Sequence, residues 1–263
     1  MRENKVKQIW KAGGAVVNGW LHIPSSYSAE VMAHAGWDSL TVDMQHGPVD
    51  YPNAVTMFQA ISTTDTMPMA RVPWNEPGII MKLLDAGCYG IICPMVNTRA
   101  EAEAFVGACR YPPLGYRSHG PNRARLYGGD DYPAQANDHV ITMAMIETVE
   151  ALNNLEEILT VPGLDAIYVG PSDLGRSFGL PPKGDVEDGP VYEALDTIVQ
   201  ACKKHGIYAG LHTGSPEYVL KMFEKGYQFA TISSEAGIMA AAAKQAINQV
   251  RGGQEKAAST GIY

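Results

Sequence analysis

The chain has 263 residues, of which 46% are hydrophobic and 18% are charged, so it is long and apolar enough to bury a large core. Its 20 lysines and arginines are outnumbered by 28 aspartates and glutamates, and the net charge of −8 argues against a nucleic-acid or membrane-surface partner. No apolar run predicts a transmembrane helix, no signal-peptide pattern opens the sequence, and the 4 cysteines lack CxxC spacing. We therefore expect a soluble cytoplasmic protein.

Short apolar runs alternate with longer amphipathic segments along the chain. Several runs are apolar throughout, which is typical of parallel strands that are buried on both faces. The predicted strands are 15–21, 39–44, 67–72, 90–96, 140–146, 166–169, 207–211 and 228–232.

The segments between these runs carry helix start signals. Ser28, Thr98, Ser215 and Ser234 stand where N-cap residues are expected, and a proline follows Ser215 at the first helical position. Repeated strand–helix units predict a single-domain α/β fold, a (β/α)₈ TIM barrel over residues 1–251. An open doubly wound sheet typically has fewer strands. The polar segment 252–263 is expected to be a flexible tail.

In a barrel of this kind, the site forms at the carboxyl ends of the strands. The polar residues at the predicted strand ends are Trp20, His22, Asp43, Gln45, His46, Arg71, Glu147, Gly170, Ser172, Asp173, His212, Ser233 and Ser234. Arginine, histidine and carboxylates at one rim indicate a metal or enolate site.

Several of these residues have simpler interpretations. Glu147 is either a metal ligand or a cap of the following helix, and Asp173 is either a ligand or a residue that closes a turn. His46 is either a site residue or a turn histidine in QHGP. Arg71 ends an apolar strand, so a buried anionic partner is expected for it.

Seven motifs follow one another along the chain. They are VDMQHGP, MARVPWNEP, MKLLDAG, ICPMVNT, ACRYPPLGYRS, MIET and VGPSDLGRSFG. Their order, over about residues 11–250, resembles that of the HpcH/HpaI aldolase family of class II pyruvate aldolases. The resemblance implies reversible cleavage of a 4-hydroxy-2-oxo acid to pyruvate and an aldehyde through an enolate. It also implies a homo-oligomer, a hexamer in which subunits exchange the C-terminal helix.

The resemblance also assigns site residues. It implies that Glu147 and Asp173 bind the divalent metal, that Arg71 binds pyruvate and acts in catalysis, and that His46 is catalytic with Asp85 as its paired acid. The pyruvate carboxylate would be held at Gly170, Ser172 and Asp173, beside Trp20 at the pocket wall. Two residues depart from the family pattern: Gln45 stands where an acid is common, and Met145 where glutamine is common.

These residues support a specific chemistry. Two carboxylates, chelating pyruvate and water make an all-oxygen shell that suits Mg²⁺, Mn²⁺ or Co²⁺. Histidine side chains in general can act as both acid and base near neutrality, so His46 is expected to accept the proton of the C4 hydroxyl. The irregular segment 111–138 contains Arg117, Arg123 and Arg125, which we expect either to select the aldehyde or to form ion pairs between subunits.

The sequence leaves two other functions open. One keeps the metal and the enolate but changes the reaction, as in oxaloacetate decarboxylation or a macrophomate-synthase-like carbon–carbon bond formation. The other is a barrel that binds a ligand without catalysis.

Overall fold

A computed structural model describes residues 1–251 and shows a closed barrel of eight parallel strands, paired in chain order. The strands are β1 (Val16–Leu21), β2 (Ser39–Asp43), β3 (Met67–Arg71), β4 (Gly90–Cys93), β5 (Ile141–Ile146), β6 (Ala166–Val169), β7 (Tyr208–Thr213) and β8 (Phe229–Ile232). The predicted barrel and its eight strands are confirmed. The predicted tail, 252–263, lies outside the described residues.

Helices alternate with these strands. They are α1 (Lys5–Lys11), α2 (Ser26–Ala33), α3 (Tyr51–Ile61), α4 (Pro77–Asp85), α5 (Arg99–Cys109), α6 (Asn122–Gly128), α7 (Tyr132–His139), α8 (Val149–Asn153), α9 (Leu155–Ile158), α10 (Pro171–Ser177), α11 (Gly189–His205), α12 (Pro216–Lys225) and α13 (Glu235–Val250). No helix in the described part of the chain is long and apolar enough to cross a membrane.

Three of the four predicted N-caps are confirmed. The Thr98, Ser215 and Ser234 side chains accept hydrogen bonds from backbone N–H groups in the first turns of α5, α12 and α13. The prediction for Ser28 is wrong, because α2 begins earlier and Ser25 caps it by accepting a hydrogen bond from the Ser28 N–H. Two serines three residues apart satisfy the same local pattern, and only the backbone distinguishes them.

The amino-terminal end of the barrel is closed by α1. The Trp10 ring stacks on Tyr208 with centroids 4.3 Å apart, and its indole N–H donates to the Gln228 carbonyl at 2.8 Å. The Lys7 ammonium pairs with Asp165 at 2.8 Å, just before β6 begins. Because this helix covers one end, the opposite rim is where the strand-end side chains are accessible.

The barrel interior beneath that rim holds a connected polar network. Asn18 donates to the Thr231 hydroxyl at 2.9 Å and accepts from Ser39 and Thr41, and Tyr168 donates to Thr231 at 2.8 Å. All five side chains are buried, so the mutual hydrogen bonds offset the cost of burying them. The network provides a rigid floor for the site.

The long segment between α5 and β5 lies at the opposite end from the strand carboxyl ends, because it leads from a helix carboxyl terminus to a strand amino terminus. It is more ordered than predicted, since it contains α6 and α7. Its contacts confirm the placement: Arg110, at its start, donates to the Val140 carbonyl at 2.9 Å and pairs with Asp165 at 2.8 Å.

The final helix, α13, packs little of its surface on the barrel. Only Glu235, its first residue, is buried. Its large exposed apolar side chains are Ile238, Met239, Ile247 and Val250. Tyr27 and Val31 on α2 and Leu220 on α12 are also exposed, so the apolar surfaces of three helices lack cover within the described chain.

Candidate active site

Asp43 and Arg71 form a buried ion pair at the rim. They are Cα partners in the β2–β3 register, and the guanidinium binds both carboxylate oxygens, Nε to Oδ1 at 2.8 Å and Nη2 to Oδ2 at 2.6 Å. Asp43 is therefore the anionic partner that the position of Arg71 requires. The remaining nitrogen, Nη1, donates to no described residue, so it is available to a ligand.

Asp43 is surrounded by further donors. The Trp20 indole N–H donates to Oδ2 at 3.1 Å, His22 Nε2 lies 2.8 Å from Oδ2, and the Gln45 backbone N–H donates to Oδ1 at 3.0 Å. Burial alone would raise the pKa of Asp43, but hydrogen bonds from His22 and Arg71 outweigh it and hold that pKa well below its usual value. Asp43 therefore remains an anionic acceptor at neutral pH.

Glu147, which follows β5, is a buried carboxylate with one oxygen still open. It is 2% exposed, and its Oε1 accepts the Met95 backbone N–H at 2.8 Å, from a residue in the left-handed region at φ 54°. No described residue donates to Oε2. Burial and the neighbouring Asp173 charge, opposed by the Met95 hydrogen bond, raise the pKa of Glu147 to about 7. A buried carboxyl beside another carboxylate is poised to bind a cation.

Asp173 and Gly170 complete this side of the rim. Asp173 is exposed in the first turn of α10, and Gly170 directly precedes that helix. A Cβ at Gly170 would lie 2.6 Å from Glu147 Oε2, so only glycine leaves room for this carboxylate oxygen. No side chain caps α10, which leaves the N–H groups of its first turn, including that of Ser172, open to an anion.

The pair of carboxylates fits a divalent cation that also takes ligands from a substrate. Among residues 1–251 there is no cluster of three or more histidine, cysteine or acidic side chains that could hold a metal. Two carboxylate ligands would leave most of an octahedral shell to substrate and water oxygens, as Mg²⁺ and Mn²⁺ sites do. The geometry is unlike that of a closed tetrahedral zinc site.

His46 and Asp85 are not brought together within one chain. His46 is exposed at the rim after β2, whereas Asp85 is the last residue of α4, at the amino-terminal end of the barrel. There Asp85 pairs with the buried Arg117 at 2.7 Å. The predicted pair would therefore need the Asp85 of another subunit.

The other arginines of the 111–138 segment also have partners in their own chain. Arg123 donates to the Ala86 carbonyl and the Ser62 hydroxyl, and Arg125 pairs with Asp130. Ser62 and Ala86 directly follow α3 and α4, so within a single chain Arg123 is held at the end of the barrel opposite the rim.

Known proteins resemble this chain over most of its length. The sequence profile described as HpcH/HpaI aldolase/citrate lyase matches residues 19–242. The chain belongs to this family. It is 41% identical to a hydroxypyruvate/pyruvate aldolase of Rhizorhabdus wittichii, with 94% of this chain and 99% of that protein covered. It is 34% identical to a 4-hydroxy-2-oxo-heptane-1,7-dioate aldolase of Escherichia coli, with 99% and 100% covered.

A solved structure gives the same result for the fold. The HpcH/HpaI aldolase/citrate lyase family protein from Burkholderia cenocepacia J2315 superposes with a TM-score of 0.88 at 31% identity. The alignment covers 94% of this chain and 99% of that one. The barrel is therefore the architecture of this family, and the family resemblance seen in the motifs is confirmed.

The two departures from the HpcH/HpaI pattern lie at the site. The buried Gln45 side-chain oxygen has no hydrogen-bond partner among the described residues. Met145 is buried on β5, and its terminal methyl lies 3.2 Å from where a Gly170 Cβ would stand. The chain thus has an unpaired amide oxygen two residues after Asp43 and a thioether next to Gly170 and Glu147.

Three residues gain roles that the sequence did not assign. Asp43 anchors Arg71, and His22 binds Asp43. Glu235 accepts hydrogen bonds from the backbone N–H groups of His22 and Ile23 at 2.6–2.9 Å. The positions of Asp43 and His22 at predicted strand ends could have identified them as site residues. Nothing in the sequence indicates that Glu235 contacts the end of β1.

His212 is expected to make stability depend on pH. Its Nδ1 lies 3.0 Å from the Tyr168 hydroxyl, and burial, together with the charge of Arg71, lowers the pKa of His212 to about 4. The unfolded state binds this proton near pH 6.5, so stability falls as pH drops below that value. When the pH is lowered from 7.5 to 5.8, the free energy of unfolding should fall in both proteins. The fall should be about 1 kcal/mol smaller in His212→Gln than in the parent protein. Denaturant titrations at both pH values measure the free energy of unfolding. An equal fall in the variant and in the parent protein would contradict the prediction.

Proposed function

We propose that the protein is a class II pyruvate aldolase that reversibly cleaves a 4-hydroxy-2-oxo acid into pyruvate and an aldehyde. The observation that carries the proposal is the buried Glu147 carboxyl, close to both Asp173 and Arg71, at the open rim of the barrel. Relatives that span nearly the whole chain are aldolases by name, and they support the same reaction class.

Glu147 and Asp173 would hold a divalent cation, Mg²⁺, Mn²⁺ or Co²⁺. When bound, the cation supplies Lewis-acid stabilisation of the negative charge that develops on the keto oxygen of pyruvate. The free Nη1 of Arg71 adds a fixed positive donor to that oxygen. Asp43 holds the guanidinium in place, and the Trp20 ring lies 4.8 Å from the guanidinium carbon. Arg71 is thus oriented before substrate arrives.

The remaining groups orient pyruvate and move protons. The uncapped N–H groups at Ser172 and Asp173, next to Gly170, would bind the pyruvate carboxylate, and Trp20 would form the pocket wall. His46 stands exposed at the rim and is the proposed proton-transfer group.

The assembly proposed for this chain is a homo-oligomer, a hexamer in which α13 is exchanged between subunits. Support comes from α13 itself, whose apolar side chains are exposed while α2 and α12 leave theirs uncovered. Such an assembly would also let Asp85 of one subunit approach His46 of another. Cytoplasmic localisation is part of the same proposal.

Metal dependence separates this mechanism from Schiff-base catalysis. None of the strand-end segments carries a lysine. A chelator should abolish cleavage of 4-hydroxy-2-oxo acids, and Mn²⁺, Co²⁺ or Mg²⁺ should restore it. Treatment with borohydride and pyruvate should leave the protein mass unchanged, and a trapped pyruvate adduct on lysine would refute the proposal.

A further inference from the structure

His22 at the end of β1 has the geometry of an oriented base. Its Nε2 lies 2.8 Å from Asp43 Oδ2. Because Asp43 remains ionised and can only accept, Nε2 must carry the proton and donate it. Neutral His22 therefore presents an unprotonated Nδ1, and no described residue forms a hydrogen bond with that atom. An imidazole with one nitrogen bound to a carboxylate and the other open is the arrangement of the histidine in hydrolase triads.

The backbone of His22 is fixed independently of its side chain. The Glu235 carboxylate, 4% exposed at the start of α13, accepts the N–H groups of His22 and Ile23. The His22 side chain is nevertheless 31% exposed, so a substrate can reach it. Because the backbone and the side chain of His22 are both held in place, the imidazole is already oriented for proton transfer when a substrate arrives.

The other rim histidine lacks such a partner in its own chain. His46 is exposed, and no described residue of this chain places a carboxylate within hydrogen-bond distance of its ring. The retro-aldol reaction needs two proton transfers at different atoms, one at the C4 oxygen and one at the carbon that becomes the pyruvate methyl group. The rim offers two histidines of different character for them.

We propose that His22 transfers the proton of the C4 oxygen, while His46 serves the methyl carbon; this assignment rests on the proposed aldolase function. In cleavage, Nδ1 of His22 accepts the proton as the C4 O–H bond breaks. The C3–C4 bond then breaks, its electron pair passes to the enolate, and the C4–O bond becomes the aldehyde carbonyl. The enolate takes a proton at carbon from the protonated His46, and Asp43 stabilises the imidazolium of His22. His22 then releases its proton to water and His46 regains one from water, which restores both side chains. Condensation reverses these steps.

His22→Gln tests the assignment. The glutamine amide N–H can replace the Nε2 donor to Asp43, but it cannot accept and return a proton. The variant should cleave 4-hydroxy-2-oxo acid substrates about 10²–10⁴-fold more slowly, the usual contribution of general acid–base catalysis. It should exchange the methyl protons of pyruvate with D₂O within about threefold of the parent rate. His34→Gln, on the exposed end of α2, is the matched control and should change neither rate.

Three outcomes overturn the assignment to the C4 oxygen. If His22→Gln cleaves its substrates within threefold of the parent rate, His22 has no part in the reaction. If exchange and cleavage fall equally, His22 transfers a proton to the enolate and not to the C4 oxygen. If His22→Gln does not fold, His22→Asn replaces it as the test variant. Cleavage by His22→Asn at the parent rate would overturn the assignment in the same way. Failure of the aldolase proposal is separate, because the parent protein itself would then show no exchange and no cleavage.

Discussion

Glu147→Gln is expected to eliminate metal-dependent turnover while leaving the fold intact. The glutamine oxygen can still accept the Met95 N–H. Loss of the charge removes the cost of burying it and its repulsion with Asp173, which together raise the pKa of Glu147 to about 7. Outer-sphere partners of metal ligands already contribute about 10–100-fold to affinity, so loss of a ligand should weaken Mn²⁺ binding by more than about 100-fold. Electron paramagnetic resonance of free Mn²⁺ measures this directly.

Glu150→Gln is the matched control, because Glu150 is an exposed glutamate three residues further along, in the first turn of α8. It should bind Mn²⁺ as the parent protein does. Thermal unfolding of the metal-free Glu147→Gln variant should not begin at a lower temperature than that of the parent. If Glu147→Gln binds Mn²⁺ as tightly as the parent protein, Glu147 is not a ligand of the cation.

His46→Ala is expected to slow cleavage by about 10²–10⁴-fold while pyruvate still binds. Binding should survive because Arg71, the carboxylate pair and the first turn of α10 do not depend on His46. The proton exchange of the pyruvate methyl group should fall together with cleavage, since both need proton transfer at carbon. Isothermal titration with pyruvate and NMR in D₂O provide the two readouts.

The two histidine variants are most informative together. Loss of exchange in His46→Ala alongside its survival in His22→Gln would divide the two proton transfers as proposed. Exchange that survives in His46→Ala would instead place His46 at the C4 hydroxyl. Retention of near-parental cleavage in His46→Ala would leave it without a catalytic role.

The barrel could be predicted because local patterns determine most of it. Eight apolar runs, each too short for a typical helix and separated by capped amphipathic segments, leave few alternatives to parallel strand–helix units. Strand ends then identify the rim, so Arg71 and Glu147 could be placed near each other without any contact information. The need of Arg71 for a buried anion was also visible, since an unpaired cation on a buried strand is costly.

The sequence alone could not predict which side chains on different strands and helices pair with each other. That Asp43 binds Arg71 depends on the β2–β3 register, and that Glu235 holds His22 depends on where α13 begins relative to β1. The position of Asp85 could have been inferred, because a residue that ends a barrel helix lies far from the strand carboxyl ends. The same reasoning applies to the 111–138 segment, which precedes a strand rather than following one.

The measurement that bears most directly on the account is exchange of pyruvate methyl protons with D₂O, without any aldehyde, in protein stripped of metal and then titrated with Mn²⁺ or Mg²⁺. In the proposed mechanism, Glu147, Asp173 and Arg71 stabilise the enolate only together with a cation. Exchange should therefore be absent in the stripped protein and should rise with occupancy of a single site per subunit. Exchange at full rate in the stripped protein, unaffected by added cation, would contradict a metal-stabilised enolate.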